Sequence, residues 1–277
     1  MTDLSPAADA AVPPSPGIPV ASLLAQGFRE IGARWPQALA LWVLGAGVHA
    51  VPRLFRWGEH AAHVGWTPAD GVRMALMAAV TAVLAALALR LFLVRGPGWL
   101  RPDRGFWICV ALLAAASLGS SAITVLGLQH ATDLRGAGVV ALRARLAAME
   151  LRQAEVFLLQ AVLAWIYVRL MLWPIGALMG EPTVTPARSW ALMRGQVAGF
   201  IIAVIILGAP YFLVSTGFTI IGLSVLHLRP AVSSLRWMWI VSAVLSPAAG
   251  LVQHAMAAVI WRAKTTASPP AQPRGRG

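Results

Sequence analysis

The sequence carries little formal charge, and acidic side chains are especially few. Only 12% of its 277 residues are charged, with 10 Asp and Glu against 22 Lys and Arg. A soluble domain carries about 25% charged residues, so this chain has too little polar side chain to cover a surface that faces water. Because 58% of the residues are hydrophobic and the mean hydropathy is +0.73, the composition excludes an ordinary soluble domain and indicates a membrane protein.

Cysteine is nearly absent as well. The single cysteine, Cys109, lies within an apolar run and has no second cysteine with which to form an internal disulfide. It therefore gives no information about the redox compartment. The first 20 residues lack the basic segment with which a cleavable signal peptide begins, so we expect the first membrane span to act as its own insertion signal.

Six apolar runs are long enough to cross the hydrocarbon core of a bilayer, which takes about 20 helical residues. They cover 37–55, 72–94, 106–128, 156–178, 197–226 and 237–261. None contains Asp or Glu, which disfavours a proton relay or a cation-coupled carboxylate site. All of the 12 tryptophans except Trp42 and Trp165 fall at or just beyond the ends of these runs, where indole reaches the headgroup level. The sequence therefore predicts an all-α polytopic bundle with six transmembrane helices.

Charge and composition outside the runs predict the topology. We expect residues 21–264 to form one membrane domain between disordered cytoplasmic tails at 1–20 and 265–277, which are rich in Pro, Ala and Gly. Segments 21–34 and 185–194 place apolar residues opposite basic ones at helical spacing, which predicts amphipathic helices in the cytoplasmic interface. With the N-terminus inside, the larger share of the 22 basic residues is cytoplasmic. The positive-inside rule thus predicts cytoplasmic termini in a bacterial inner membrane.

The second, fourth and sixth runs each end near a base, namely Arg90, Arg169 and Arg262. Arg90 and Arg169 lie inside their helices and have two interpretations. They could form an anion or lipid-headgroup site, or their long side chains could simply reach the interface. Because the basic residues flank the runs and form no separate face, we expect membrane lipids, and a membrane-protein partner or a second copy, as partners, and no nucleic acid.

Prolines and histidines supply the remaining candidate sites. Pro174, Pro210 and Pro247 each remove a backbone hydrogen bond and kink a span. Broken helices mark binding sites in transporters, although prolines are also common in ordinary membrane helices. The polar side chains that the kinked fifth and sixth spans could present are Tyr211, Gln253 and His254.

A pair of histidines in the first outer loop is the candidate metal site. His60 and His63 are three residues apart, so on a helical turn both could present nitrogens to one ion. The surrounding residues do not form the His-Glu-x-x-His motif of zinc proteases, and histidine is well tolerated at a membrane interface. Beyond this candidate pair we expect no cofactor.

Two segments resemble a known group. Arg169-Leu170-Met171-Leu172-Trp173-Pro174, followed by Ser189-Trp190-Ala191-Leu192-Met193-Arg194-Gly195, is similar to a signature of uncharacterised six-span bacterial membrane proteins. That group is related to the membrane domain attached to some glycerophosphodiester phosphodiesterases. Met193 stands where the group more often has Thr, and this chain has no phosphodiesterase domain. The resemblance implies a six-helix fold with a cytoplasmic interfacial helix and transfers no catalytic residue.

Three functional hypotheses follow. The sequence has no glycine-rich phosphate loop, no paired carboxylates and no Ser/His/Asp spacing typical of hydrolases, so we expect no enzyme. The leading hypothesis is a structural or accessory protein of the inner membrane, in envelope or lipid homeostasis. The first alternative is a small-solute or lipid transporter built on the kinked fifth and sixth spans. The second is a metal- or haem-binding membrane subunit that uses the outer-face histidines.

Overall fold

The computed structural model describes residues 17–55, 68–94, 96–129, 139–224 and 232–266, and all regular structure in these ranges is helical. A 3₁₀ turn, Pro97–Leu100, connects the third helix to the fourth. In chain order the α-helices are α1 Val20–Ala33, α2 Trp35–Phe55, α3 Pro68–Leu93, α4 Arg104–Gln129, α5 Val139–Leu170, α6 Leu172–Leu178, α7 Pro186–Leu192, α8 Val197–Ser224 and α9 Val232–Thr266. The all-α prediction is confirmed for the described part of the chain.

Each of α3, α4 and α9 contains a segment that is long and apolar enough to cross a membrane by itself. These candidate spans are Gly71–Leu93, Arg104–Ile123 and Ala243–Thr265. Two bent pairs raise the number to five if each counts as one span: Ala154–Leu170 with Leu172–Leu178, and Pro186–Leu192 with Val197–Pro210. These five match the predicted second to sixth runs. Helix α2, the predicted first span, is not among them, so the described residues support three to five spans and the sixth stays a prediction.

The fourth run is broken beside Pro174. Proline has no N–H to donate to the carbonyl of Leu170, so a straight helix cannot continue through this point. The amide of Met171 instead donates to the carbonyl of Val168 at 3.4 Å, and α5 and α6 meet at an angle of 40°. Pro210 and Pro247 lie inside α8 and α9, which continue past them.

The two predicted amphipathic segments form the helices α1 and α7, and the two helices differ in how deeply they pack. Helix α7 begins where its sequence indicates: the side chain of Thr185 accepts a hydrogen bond from the amide of Arg188, and Pro186 is the first helical residue. It lies at 80° to α8, the angle expected of an interfacial helix that precedes a span. Helix α1 is more deeply packed, because Leu23 is fully buried and Gly27 lies against α9.

Among the described residues, the fully buried apolar side chains gather at one end of the bundle, where α3, α5 and α9 end and α4 and α8 begin. We call it the arginine end, after Arg90, Arg169 and Arg262. Fully buried apolar side chains at this end are Leu23, Phe92, Leu172, Ile175, Met193, Met256 and Ile260. Elsewhere large apolar side chains lie bare on the outside of the bundle, as lipid-facing residues do: Val72, Leu76, Phe157, Leu158, Ile205 and Leu213.

Candidate functional site

Arg90 ties the end of α3 to the start of α4. Its guanidinium donates to the carbonyl of Arg101 and forms an ion pair with the carboxylate of Asp103. The other oxygen of Asp103 accepts a hydrogen bond of 2.8 Å from the amide of Phe106, which satisfies one of the free N–H groups at the start of α4. Arg90 is 8% exposed, so its charge is used within the chain. Arg90 thus has a structural role, and the anion site stays a prediction.

The neighbours of Asp103 change the pKa of its carboxyl group. Partial burial by itself raises its pKa, but the hydrogen bond from the amide of Phe106, and the hydrogen bond and charge of Arg90, outweigh that effect. The pKa of Asp103 is therefore lowered from its usual value of 3.8. The carboxylate stays ionised, and paired with Arg90, across the physiological range of pH.

Arg169 lies beside a pair of tryptophan rings, Trp165 and Trp190, which contact each other edge to face with their centroids 4.9 Å apart. Its guanidinium carbon is 5.2 Å from the ring centroid of Trp165 and 5.3 Å from that of Trp190, within the range of a cation–π interaction. Nη1 also donates to the carbonyl of Trp190 at 3.2 Å, and the buried hydroxyl of Ser189 donates to the carbonyl of Arg169 at 3.0 Å. The two segments on which the family resemblance depends therefore meet in one joint. Trp165, which does not fall at the end of an apolar run, thus contacts Arg169 in this joint.

Arg262 joins the ends of α9, α3 and α1. Its Nη1 donates to the carbonyl of Phe92 at 3.1 Å, and its other terminal nitrogen pairs with the carboxylate of Glu30. Arg34 adds a weaker contact of 3.4 Å to the carbonyl of Val94. The three bases that the sequence places near span ends thus lie at the same end of the bundle, and each binds a backbone carbonyl there.

Two glycines allow close backbone contact at the arginine end. A Cβ at Gly105 would collide with the carbonyl oxygen of Ala177, and one at Gly176 would collide with the side chain of Val184. Glycine is therefore required where α4 crosses the end of α6 and where the loop before α7 folds back over α6. Gly180 ends α6 in the left-handed conformation, with φ of 71°, and the amide of Glu181 bonds back to the carbonyl of Gly176 at 2.8 Å.

Two half-open cavities lie between the helices of the bundle, beyond the arginine end. The first has a volume of about 570 Å³ between α2, α3, α8 and α9, and the second about 560 Å³ between α3, α4, α5 and α6. Pro210 and Pro247 line the first cavity, and Pro174 lines the second. The three prolines that the sequence marks as candidate kinks therefore all border cavities. Half-exposed Phe28 lies at the edge of the first, so that cavity reaches the lateral surface.

His254 lies on the wall that the two cavities share. Its side chain on α9, with Thr81 and Ala85 on α3, lines both. No hydrogen bond joins the ring of His254 to any of the residues that the structure describes. Gln253 lines the first cavity, as the sequence predicts for a polar group beside the kinked spans. The side chain of Tyr211, the third group of that prediction, is outside the described part of the chain.

Two polar contacts that the sequence does not reveal hold the cavity walls. The hydroxyl of Ser120 donates to the amide oxygen of Gln160 at 2.9 Å, and the amide nitrogen of Gln160 donates to the carbonyl of Ser120 at 2.8 Å. This pair clasps α4 to α5. The second contact lies beside the first cavity, where the indole N–H of Trp42 donates to the carbonyl of Val244 at 2.7 Å. Val244 is three residues before Pro247. A proline disturbs the hydrogen bonds of the preceding turn, so Trp42 satisfies a carbonyl there.

The candidate metal ligands His60 and His63 fall outside the described residues, and the metal site stays a prediction. Across the ranges that the structure does describe, no group of three or more His, Cys, Asp or Glu side chains could hold a metal ion. Cys109 is fully buried in the core near the arginine end, as a small apolar side chain would be.

Comparison with protein-family models, curated proteins and solved structures finds no match for this chain. The resemblance carried by residues 169–174 and 189–195 therefore stays a prediction. The chemistry that the geometry allows is that of a binding site. The arginine end uses its charges to hold the helices together, while the interior offers two largely apolar cavities with a few polar side chains on their walls.

Proposed function

We propose that this chain is a six-span protein of the bacterial inner membrane that binds a lipid-like molecule inside its helix bundle. Its role is non-enzymatic and accessory, in envelope or lipid homeostasis. The observation that carries the proposal is the pair of cavities, of about 570 and 560 Å³, which share a wall at His254. Ligand sites in proteins are concave spaces of roughly 300–1,000 Å³ with mainly apolar walls and a few polar groups. Both cavities fit that description.

The surroundings of the cavities favour a ligand that arrives from the bilayer. Exposed apolar side chains cover the outside of the helices that enclose them, including Val43 on α2, Phe157 on α5 and Ile205 on α8. Phe28 and Tyr167 are partly exposed and also line the first and second cavity respectively. A lipid-like molecule can therefore enter sideways without crossing water.

In this proposal α2 is the first of six spans, and the arginine end faces the cytoplasm. Bases at this end include Arg34, Arg101, Arg104, Arg188 and Arg194, and the anionic inner leaflet attracts such residues. The first and last described residues then lie on the cytoplasmic side, and we propose the same side for both termini, as the positive-inside rule predicts. Helices α1 and α7 lie against the headgroups.

Transport of the bound molecule is a second candidate, and one observation favours it. Pro210 on α8 and Pro247 on α9 face the same cavity, and prolines allow helices to bend about a site. Accessory binding and transport share the same site. They differ in whether the isolated chain moves its ligand between leaflets, which fluorescent-lipid scrambling in liposomes measures.

Three glycines provide a matched test of binding. A Cβ at Gly208, in the first cavity, or at Gly119, in the second, meets no atom within 4 Å, and the same holds for Gly47, which lines neither cavity. Replacing each with leucine adds the same volume and the same helix propensity. Gly208→Leu and Gly119→Leu should fill a cavity each, whereas Gly47→Leu extends into open space.

Each protein is exchanged into a synthetic detergent, and mass spectrometry then measures the amount of co-purified lipid per mole of protein. We expect wild type and Gly47→Leu to retain the same molecule in near-stoichiometric amount. Gly208→Leu, Gly119→Leu or both should retain several-fold less, with unchanged thermal stability. Equal retention in all four proteins would contradict the proposal, since the retained lipid would then bind to the outer surface.

A further inference from the structure

We infer that the ligand is an uncharged amphiphile, with a hydroxyl or carbonyl as its headgroup, and that this headgroup lies at His254 and Thr81. The inference depends on the proposed binding function and names the chemical class of the ligand. It follows from three observations, on the charge, the placement and the hydrogen-bonding state of the lining side chains.

The first observation is that the described lining of both cavities contains no Asp, Glu, Lys or Arg. Its titratable side chains are His49, Tyr167 and His254. A carboxylate or phosphate group brought into such a space would lose its hydration with no opposite formal charge to replace it, which costs several kcal/mol per ion. A hydroxyl or carbonyl group needs one hydrogen-bond partner and carries no such penalty.

The second observation is the location of the bases. Arg90, Arg169 and Arg262 are the arginines closest to the cavities along α3, α5 and α9, and each binds a backbone carbonyl at the arginine end. None of the three lines either cavity. These three bases lie at the arginine end, and the described walls of both cavities carry no formal charge.

The third observation is that two polar side chains lie on the wall that the cavities share. Of the polar side chains in the two linings, only those of Thr81 and His254 belong to both. Ser120 and Gln160, in the second cavity, bond to each other. The ring of His254 forms no hydrogen bond with the described residues, so its nitrogens are available to a ligand. A headgroup at this wall leaves apolar space on both sides for hydrocarbon.

The test uses three photoactivatable probes with one C16 chain that bears a diazirine and an alkyne. The chain ends in a hydroxyl, a carboxylate or a phosphate. The full-length protein is reconstituted in phosphatidylcholine nanodiscs at neutral pH and irradiated, and labelled peptides are quantified by mass spectrometry. Labelling of α3 and α9 is divided by labelling around lipid-facing Phe157, which corrects for how much of each probe enters the bilayer.

We expect the hydroxyl probe to label the cavity segments of α3 and α9 about 10-fold more than either charged probe, because the charged headgroups are not solvated there. His254→Phe keeps an aromatic ring but removes the hydrogen bond, so it should reduce labelling by the hydroxyl probe about 3- to 10-fold. His254→Gln keeps a hydrogen-bonding group and should retain most of the labelling.

The outcomes separate the two proposals. If a charged probe labels the cavity as well as the hydroxyl probe, and Gly208→Leu and Gly119→Leu prevent it, binding stands and the uncharged class is wrong. If His254→Phe leaves labelling by the hydroxyl probe unchanged, the headgroup does not lie at His254 and the inference is overturned. If both leucine variants leave labelling by every probe unchanged, the proposed function fails and the inference fails with it.

Discussion

The arginine end and the region around the two cavities, which we call the cavity region, both contain many apolar side chains but pack very differently. At the arginine end, guanidinium groups bind carbonyls of neighbouring helices, and glycines such as Gly105 let backbones touch. In the cavity region, proline-containing helices enclose about 570 and 560 Å³ of space. Lipid is as apolar as leucine, so apolar side chains alone do not pull membrane helices together. At the arginine end, arginine-to-carbonyl bonds and glycines bring the helices close together. In the cavity region, the hydrogen bonds of Trp42 and of Ser120 with Gln160 hold the walls but leave space between them.

The largest effect expected is that of the same substitution at two glycines of α4. Gly105→Val places a Cβ against the carbonyl oxygen of Ala177, and backbone atoms cannot move aside as a side chain can. We expect a loss of about 3 kcal/mol of stability. Gly119→Val, in the cavity region, meets open space and should be neutral. Thermal unfolding in a mild detergent measures both, and equal melting temperatures would show that the two regions do not differ.

A smaller effect is expected when Arg169 is replaced. Arg169→Lys keeps the charge but loses the planar group that lies against the rings of Trp165 and Trp190 and bonds to a carbonyl. We expect about 2 kcal/mol of destabilisation. Arg188→Lys, at an exposed position whose arginine makes only a 3.5 Å contact, is the control and should change stability by less than about 0.5 kcal/mol. A similar loss in both variants would rule out a special role for the joint.

Trp42 provides a test in the cavity region itself. Trp42→Phe retains most of the apolar surface and removes the hydrogen bond to the carbonyl of Val244. The expected loss is about 1 kcal/mol, because that carbonyl adjoins the turn that Pro247 disturbs. Trp35→Phe, at a side chain that is 62% exposed, should cost less. If Trp42→Phe costs no more than Trp35→Phe, the hydrogen bond to Val244 does not stabilise α9.

The smallest effect expected is a dependence on pH at the arginine end. The pKa of Asp103 is lowered in the folded protein, so its contribution to stability is present above the usual value of 3.8. That contribution is lost as the pH falls through the lowered pKa. Asp103→Asn keeps an oxygen for the amide of Phe106 and removes the charge, so its melting temperature should vary less with acid pH. Parallel curves for the two proteins would mean that the ion pair with Arg90 contributes nothing.

Much of the arginine end could be predicted from the sequence, because its signals are local. The apolar runs, the bases at three span ends, the break beside Pro174 and the start of α7 at Thr185 each depend on neighbouring residues. The partners of those bases could not be predicted in the same way. Trp190 is 21 residues from Arg169, and Phe92 is 170 residues from Arg262, so these contacts exist only once the helices have packed.

The cavities were predictable only in part. Prolines in apolar runs indicate kinked spans, and His254 and Gln253 are polar residues in such a run. That two cavities meet at one histidine depends on how α3 and α9 cross, and no local pattern encodes that crossing. The clasp between Ser120 and Gln160 was missed for the same reason. A glutamine within an apolar run is its one signal, since an amide in hydrocarbon needs a partner.

The most direct test of the account measures the depth of single spin labels in liposomes. Cys109 is the single cysteine of the chain and is fully buried, so a Cys109→Ala background allows one label at Ile205, on the outside of α8, or at Arg188, at the arginine end. We predict that the Ile205 label collides mainly with oxygen, which dissolves in hydrocarbon, and the Arg188 label with a water-soluble nickel complex. Equal access of the nickel complex to both labels would contradict the placement of these helices in a bilayer.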